Sequence, residues 1–248
     1  PTALLIVSGG NEIRSGAHAG MAQLALRIAE QGFPVLRYDR RGIGETPGQN
    51  SGFLGSAEEI AASAAFLRQQ QSVQKIVAFG NCDAASALAL FGPGAGIDTY
   101  VLANPWVIET TEEADTERPA ITPAAIRARY WDRIRNPRTI IDLFSGKIDF
   151  NKLVTGLKRA AQSQDNTALA VRLRDALGRL ESHTDILLAK RDTTARAFLA
   201  AWNSSDFEAL RKRPGITLKP LDSASHSFAD AAAKKWLLDN LLERLRSA

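Results

Sequence analysis

Short strand patterns alternating with helical ones constrain this chain more than any other feature. The first four strands are Ala3-Leu-Leu-Ile-Val-Ser8, Phe33-Pro-Val-Leu-Arg-Tyr-Asp39, Ile76 to Phe79, and Thr99-Tyr-Val-Leu-Ala-Asn104. Runs this short and this apolar read as strands covered on both faces, as in a parallel sheet. Helical patterns lie between them. Ala17 to Gln31 carries Met21, Leu24, Ala25 and Ile28 on one face and stops at Gly32. Ser56-Ala-Glu-Glu59 reads as a capping box for a helix reaching about Gln70, and a third helix runs from Ala84 to Phe91. Such alternation implies parallel strands joined by right-handed crossovers.

The alternation stops at Val107 and resumes after His183. Between them the patterns are helical and broken at Pro119, Pro123, Pro137 and Gly146. The last, Asn166 to Leu180, puts Leu169, Leu173, Ala176, Leu177 and Leu180 on one stripe. An all-helical stretch between two strands reads as a lid. Beyond it come a strand at Asp185 to Lys190, a helix at Thr194 to Asn203 with Phe198 and Trp202 inward, and a strand at Gly215 to Pro220. A loop at Asp222 to His226 and a closing amphipathic helix from Phe228 to Arg246 complete the chain. The expected fold class is α/β, with six mostly parallel strands and helices on both faces. The core is expected in two parts, 1–106 and 184–248, with a helical lid at 107–183.

Composition narrows the setting. A chain of 248 residues, 45% hydrophobic, can fill one α/β core. Its one cysteine allows no internal disulfide, and the expectation is a reducing, cytoplasmic compartment. No apolar run reaches bilayer length, and no leader pattern is read at the start. From Arg118 to His183 there are 13 Lys/Arg against 6 Asp/Glu, a net +7; the total is +4, so the remainder carries −3. A basic insert suits an acidic substrate, a membrane surface or nucleic acid, though solvated helical faces explain it as well.

The stretch Lys75-Ile-Val-Ala-Phe-Gly-Asn-Cys-Asp-Ala-Ala-Ser86 passes from strand to helix through Gly80-Asn81-Cys82-Asp83-Ala84. That is the pattern of a nucleophile elbow with cysteine in place of serine and alanine in place of the last glycine. Small residues are needed because the strand and helix nearly touch at so tight a turn. In open parallel sheets, sites form where strands end. Cys82, Asp192 and His226 each follow a strand end, in the order nucleophile, acid, base. His183 and Asp185 precede the fifth strand and fall at the opposite edge. Asp222 rivals Asp192 as the acid. Asp39 reads as loop support, and His18 has no role in the pattern.

The chemistry follows from these residue types. A thiol is mostly protonated at neutral pH, so His226 would take its proton or pair with the thiolate as imidazolium. Asp192 would orient the imidazole. The thiolate would attack an acyl carbonyl, and His226 would activate the water that clears the acyl-enzyme. The oxyanion donors would be the N–H of Asp83 and an N–H of Gly10 or Asn11. Trp106 is expected in the substrate pocket. Asp83 places a negative charge beside the thiol, which opposes the thiolate unless the carboxylate points elsewhere.

Over nearly its whole length the chain resembles the α/β-hydrolases, through its strand order, the Gly42-Ile-Gly44 loop, the elbow and His226. More closely it resembles the first type of exosortase A system-associated hydrolase. Ser8-Gly9-Gly10, Gly32-Phe-Pro-Val-Leu-Arg37, Gly80-Asn-Cys-Asp-Ala-Ala-Ser86 and Leu102-Ala-Asn-Pro-Trp106 carry that likeness. It implies a bacterial enzyme of exopolysaccharide and protein-sorting gene clusters, and names no substrate. In its cysteine chemistry alone the chain is similar to dienelactone hydrolase. The expectation is a lidded hydrolase acting on a small-molecule ester or thioester. No cofactor, metal, nucleic acid or stable membrane insertion is expected. Acyl transfer to another acceptor, or a non-catalytic binding module with a basic lid, are the alternatives.

Overall fold

The computed structural model describes residues 1–109 and 167–248, so most of the expected lid lies outside the described residues. Six parallel strands form one sheet: β1 Thr2–Val7, β2 Val35–Arg37, β3 Lys75–Asn81, β4 Thr99–Ala103, β5 Thr184–Ala189 and β6 Ile216–Leu221, in the order β2-β1-β3-β4-β5-β6. The described helices are α1 Gly20–Ala29, α2 Ala57–Gln69, α3 Asp83–Phe91, α4 Ala168–Arg179, α5 Thr193–Trp202, α6 Glu208–Arg211 and α7 Ala231–Ser247.

The side-chain alternation of the central strands explains the two-layer cover. On β1, Ala3, Leu5 and Val7 join one apolar cluster while Leu4 and Ile6 join another. Ile76 and Ala78 on β3, Tyr100 and Leu102 on β4, and Ile186 and Leu188 on β5 face the first cluster. Their neighbours Val77, Phe79, Val101, Ala103 and Leu187 face the second. Strands buried on both faces must be apolar at every position, which is why they read as continuous runs. Helices α2 to α6 contribute to the first layer, and α1 and α7 cover the second.

Three local expectations change. Helix α1 begins at Gly20, because Gly16, His18 and Ala19 all take positive φ just before it. Ser56 makes no capping box: its hydroxyl donates to the Phe53 carbonyl at 2.6 Å, and Glu59 instead pairs with Arg41 at 2.7 Å. The third change moves the end of the insertion. Helix α4 was expected within the lid, yet Leu173, Leu177 and Leu180 are buried in the first core layer with Ala85 and Leu88 of α3. It is a crossover helix of the core. Its stripe predicts burial but not the partner, and the alanine-rich face of α3 offers a shallow surface for leucines to fill.

Candidate active site

Cys82 stands between β3 and α3 as the N-cap of α3, with φ 64° and ψ −127°. A non-glycine residue there is strained by sterics, and such strain gathers at functional turns. The turn is held from β4. The Cys82 N–H donates to the Ala103 carbonyl at 2.9 Å, and the Cys82 carbonyl accepts from the Trp106 N–H at 3.2 Å. The Ser86 hydroxyl donates to the Trp106 carbonyl at 2.7 Å. Gly80 is required by close approach: a Cβ there would lie 2.8 Å from the backbone carbon and oxygen of Ala84. The thiol is half-buried.

His226 lies on a loop, so other residues must hold it. The amides of Asn81 and Asn104 both donate to the His226 carbonyl, at 3.2 and 3.0 Å. Asn104 also donates to Asn81 Oδ1 at 3.1 Å and accepts from the Ala189 N–H at 2.8 Å. It is fully buried with φ 42°, a conformation asparagine tolerates better than most residues. One amide thus ties together the ends of β3, β4 and β5 and the histidine loop. The sequence signal was slight: an asparagine ending β4 just before a proline.

The Asp192 carboxylate accepts from His226 Nδ1 at 3.0 Å, and from the Ala195 N–H at 3.0 Å as the N-cap of α5. Its rival Asp222 is exposed and pairs with Arg191 at 3.2 Å. The hydrogen bond to Asp192, then that to Cys82, raises the His226 pKa to about 10 against the effect of burial. Burial pushes the Asp192 carboxyl up, but its bond to His226 and the α5 amides hold it below the ordinary range. At neutral pH the ring is an imidazolium between Asp192 and Cys82.

A stability prediction follows. A pKa raised on folding means that the native state binds the proton more tightly. This stabilises the fold below the ordinary histidine value and fades as pH rises through about 10. The lowered Asp192 contributes above the ordinary carboxyl value and fades as pH falls through its native one. His226→Gln should therefore melt furthest below the wild type between about pH 4 and pH 6.5, and the two curves should converge towards pH 10. Circular-dichroism melts across pH check this, and a constant gap would contradict it.

The expected oxyanion donors are arranged differently from one another. The Asp83 N–H opens α3, where helical amides have no intrahelical acceptor. The Gly10 N–H instead donates to Asp83 Oδ1 at 2.6 Å. The amide of Asn50 donates to the side-chain oxygen of Asn11 at 2.8 Å. Buried Arg40 reaches Asp83 Oδ2 at 4.0 Å and donates to the Gly10 carbonyl. So the Asp83 carboxylate is turned towards the Gly10 loop and Arg40. Burial still pushes its pKa up, against the Gly10 N–H and Arg40. Gly9 allows this contact, since a Cβ there would lie 2.7 Å from Asp83 Oδ1.

A cavity of about 150 Å³ opens beside Cys82 and His226 and runs between α1 and α7. His18 lines it, from the positive-φ turn before α1. Trp106 does not line it; that ring is half-buried against the opposite core layer. The expected lid contacts fall outside the described residues. His183 and Asp185 sit at the far edge, where Arg244 holds Asp185 at 2.7 Å. Asp39 supports its loop, accepting from the Arg14 N–H and, through its carbonyl, from Thr46 at 2.9 Å. Among the described residues, no group of three or more His, Cys, Asp or Glu is placed to hold a metal ion.

No protein-family model matches the sequence, and no curated protein matches it. Solved structures do resemble it. An esterase of Pyrococcus furiosus is 13% identical, with 99% of this chain and 82% of that one covered and a TM-score of 0.62. A monoacylglycerol lipase of Paleococcus ferrophilus is 15% identical, over 98% and 93%, with a TM-score of 0.58. The thioesterase domain of the curacin biosynthetic pathway is 15% identical, over 98% and 91%, with a TM-score of 0.54. At such identities the likeness is one of architecture, and with the strand order and crossovers described above it gives this chain the α/β-hydrolase fold.

Proposed function

We propose that this protein hydrolyses a carboxylic ester or thioester of a small molecule through Cys82, His226 and Asp192. One observation carries the reading: a lone cysteine in a strained strand-to-helix turn lines the same cavity as the imidazole that Asp192 holds at 3.0 Å. The esterase, lipase and thioesterase neighbours support the reaction class.

In this reaction the attacking species is the Cys82 thiolate, formed with the proton on His226. The thiolate adds to the acyl carbonyl, and the oxyanion is met by the Asp83 N–H. His226 then gives its proton to the departing alkoxide or thiolate, leaving a Cys82 thioester and a neutral imidazole. That imidazole takes a proton from water, whose oxygen attacks the thioester. Collapse returns acid, thiolate and imidazolium. Asp192 keeps Nδ1 engaged throughout, so Nε2 does the proton transfer.

The single cysteine supports a cytoplasmic setting. The elbow string from Gly80 to Ser86 supports a bacterial gene cluster for exopolysaccharide and protein sorting, as in the exosortase-associated hydrolases. Incubation with a panel of aryl esters and acyl thioesters should give multiple turnover and a transient acyl adduct, located on Cys82 by intact-mass and peptide mass spectrometry. Stable acylation with transfer to an added alcohol or amine would favour the acyltransferase alternative. No adduct and no turnover would leave the binding module.

A further inference from the structure

The cavity beside Cys82 extends beyond the reacting atoms. Gly20 and Arg27 both line it, and α1 advances about 10 Å between them. Leu24 from α1 and Leu237 and Leu238 from α7 make its walls apolar. Its charged groups differ in origin. Glu12 and His18 belong to the loop next to Cys82, and the Glu12 carboxylate accepts from the Ala17 N–H at 3.3 Å. Arg27 and Lys234 come from the two helices, and the contact of Lys234 with Gln23 at 3.5 Å shows that α1 and α7 face each other here. Neither Arg27 nor Lys234 has a carboxylate partner among the described residues.

An apolar slot that holds the Cys82 thiol and has one arginine and one lysine in its lining suits a particular acyl group. Methylenes fit the leucines, and the cations favour a negative charge at the distal end while disfavouring an ammonium. We propose that the acyl group taken by this site carries an anionic end, read by Arg27 and Lys234. The proposal rests on the hydrolase reading and names its substrate class. Because both cations are exposed, they would discriminate between substrates more than they would add raw affinity.

The test compares aryl half-esters of adipic and suberic acid, the matching ω-phosphonate esters, and uncharged hexanoyl and octanoyl esters. In the wild type, kcat/KM for one anionic series should exceed the uncharged series by about 10-fold or more, chiefly through KM. Which series leads tells carboxylate from phosphate. The double variant Arg27→Glu, Lys234→Glu should reverse the order. Equal or faster turnover of uncharged esters by the wild type, or an order unchanged in the variant, would overturn the proposal. If no ester of any series is turned over, the hydrolase reading fails separately. Calorimetry with monomethyl adipate against methyl hexanoate then decides the anion site. Selective binding of the former, lost in the double variant, supports the site; no selectivity overturns it.

Discussion

Cys82→Ala is expected to lower ester or thioester turnover by about 10⁴-fold or more while leaving the fold in place. On the proposed mechanism the variant loses the group that forms the acyl-enzyme. Cys82→Ser should fare little better, although serine fits the same turn. The bond to Asp192, the largest of the causes that raise the His226 pKa, stays in the serine variant and still favours the protonated ring, which is a poor acceptor for a serine proton. The serine variant would forfeit the general-base contribution, about 10²–10⁴-fold. Recovery of its activity at high pH, where the ring titrates, would fit this account. Full activity of Cys82→Ala would remove the mechanism. Stability should move the other way at this residue. Cys82→Gly relieves a positive φ whose cost is about 1–3 kcal/mol, against about 0.5–1 kcal/mol for glycine's extra chain entropy. It should therefore melt a few degrees above Cys82→Ala, inactive but better folded.

Gly80→Ala is expected to be the most damaging single-methyl change in the elbow, costing about 2–3 kcal/mol. The added Cβ would sit 2.8 Å from the Ala84 carbonyl group and 2.9 Å from the Ala85 nitrogen. These are backbone atoms of the first turn of α3, so no rotamer change relieves the clash. Strand and helix must move apart, carrying the Asp83 N–H away from the thiol. The melting temperature should fall by roughly 5–10 °C, and turnover should drop even well below the transition. Gly94→Ala is the matched comparison, because a Cβ there meets nothing within 4 Å and the residue has no positive φ. Equal melting temperatures for the two variants would show that β3 and α3 do not pack as described.

Order along the chain was the legible part of this protein. Parallel strands buried on both faces need apolar residues at every position, so β1, β3, β4 and β5 stood out as runs. The strand-end rule places Cys82, Asp192 and His226 at one edge and His183 and Asp185 at the other from chain order alone. Glycine carried information for the same reason of space: Gly80 marks where a helix crowds a strand, which is a property of the local chain.

What depended on distant residues could not be read this way. Asp192 and Asp222 both follow strands at the same edge. Only the tertiary structure decides between them, by setting one carboxylate against His226 and leaving the other to Arg191. The amides of Asn81 and Asn104 meet at the His226 carbonyl across more than a hundred residues of chain, and no local pattern announces such a meeting. The stripe of α4 required burial but was equally consistent with a lid or the core; the shape of α3 settled it. The same holds for the site's surroundings. Asp83 looked unfavourable beside a thiol because sequence gives adjacency without direction, and folding turns its carboxylate to the Gly10 N–H and towards buried Arg40. Periodicity and turn chemistry are local and survive in the sequence. Direction, partner choice and the path of a cavity belong to the packing of elements that the chain brings together only when folded.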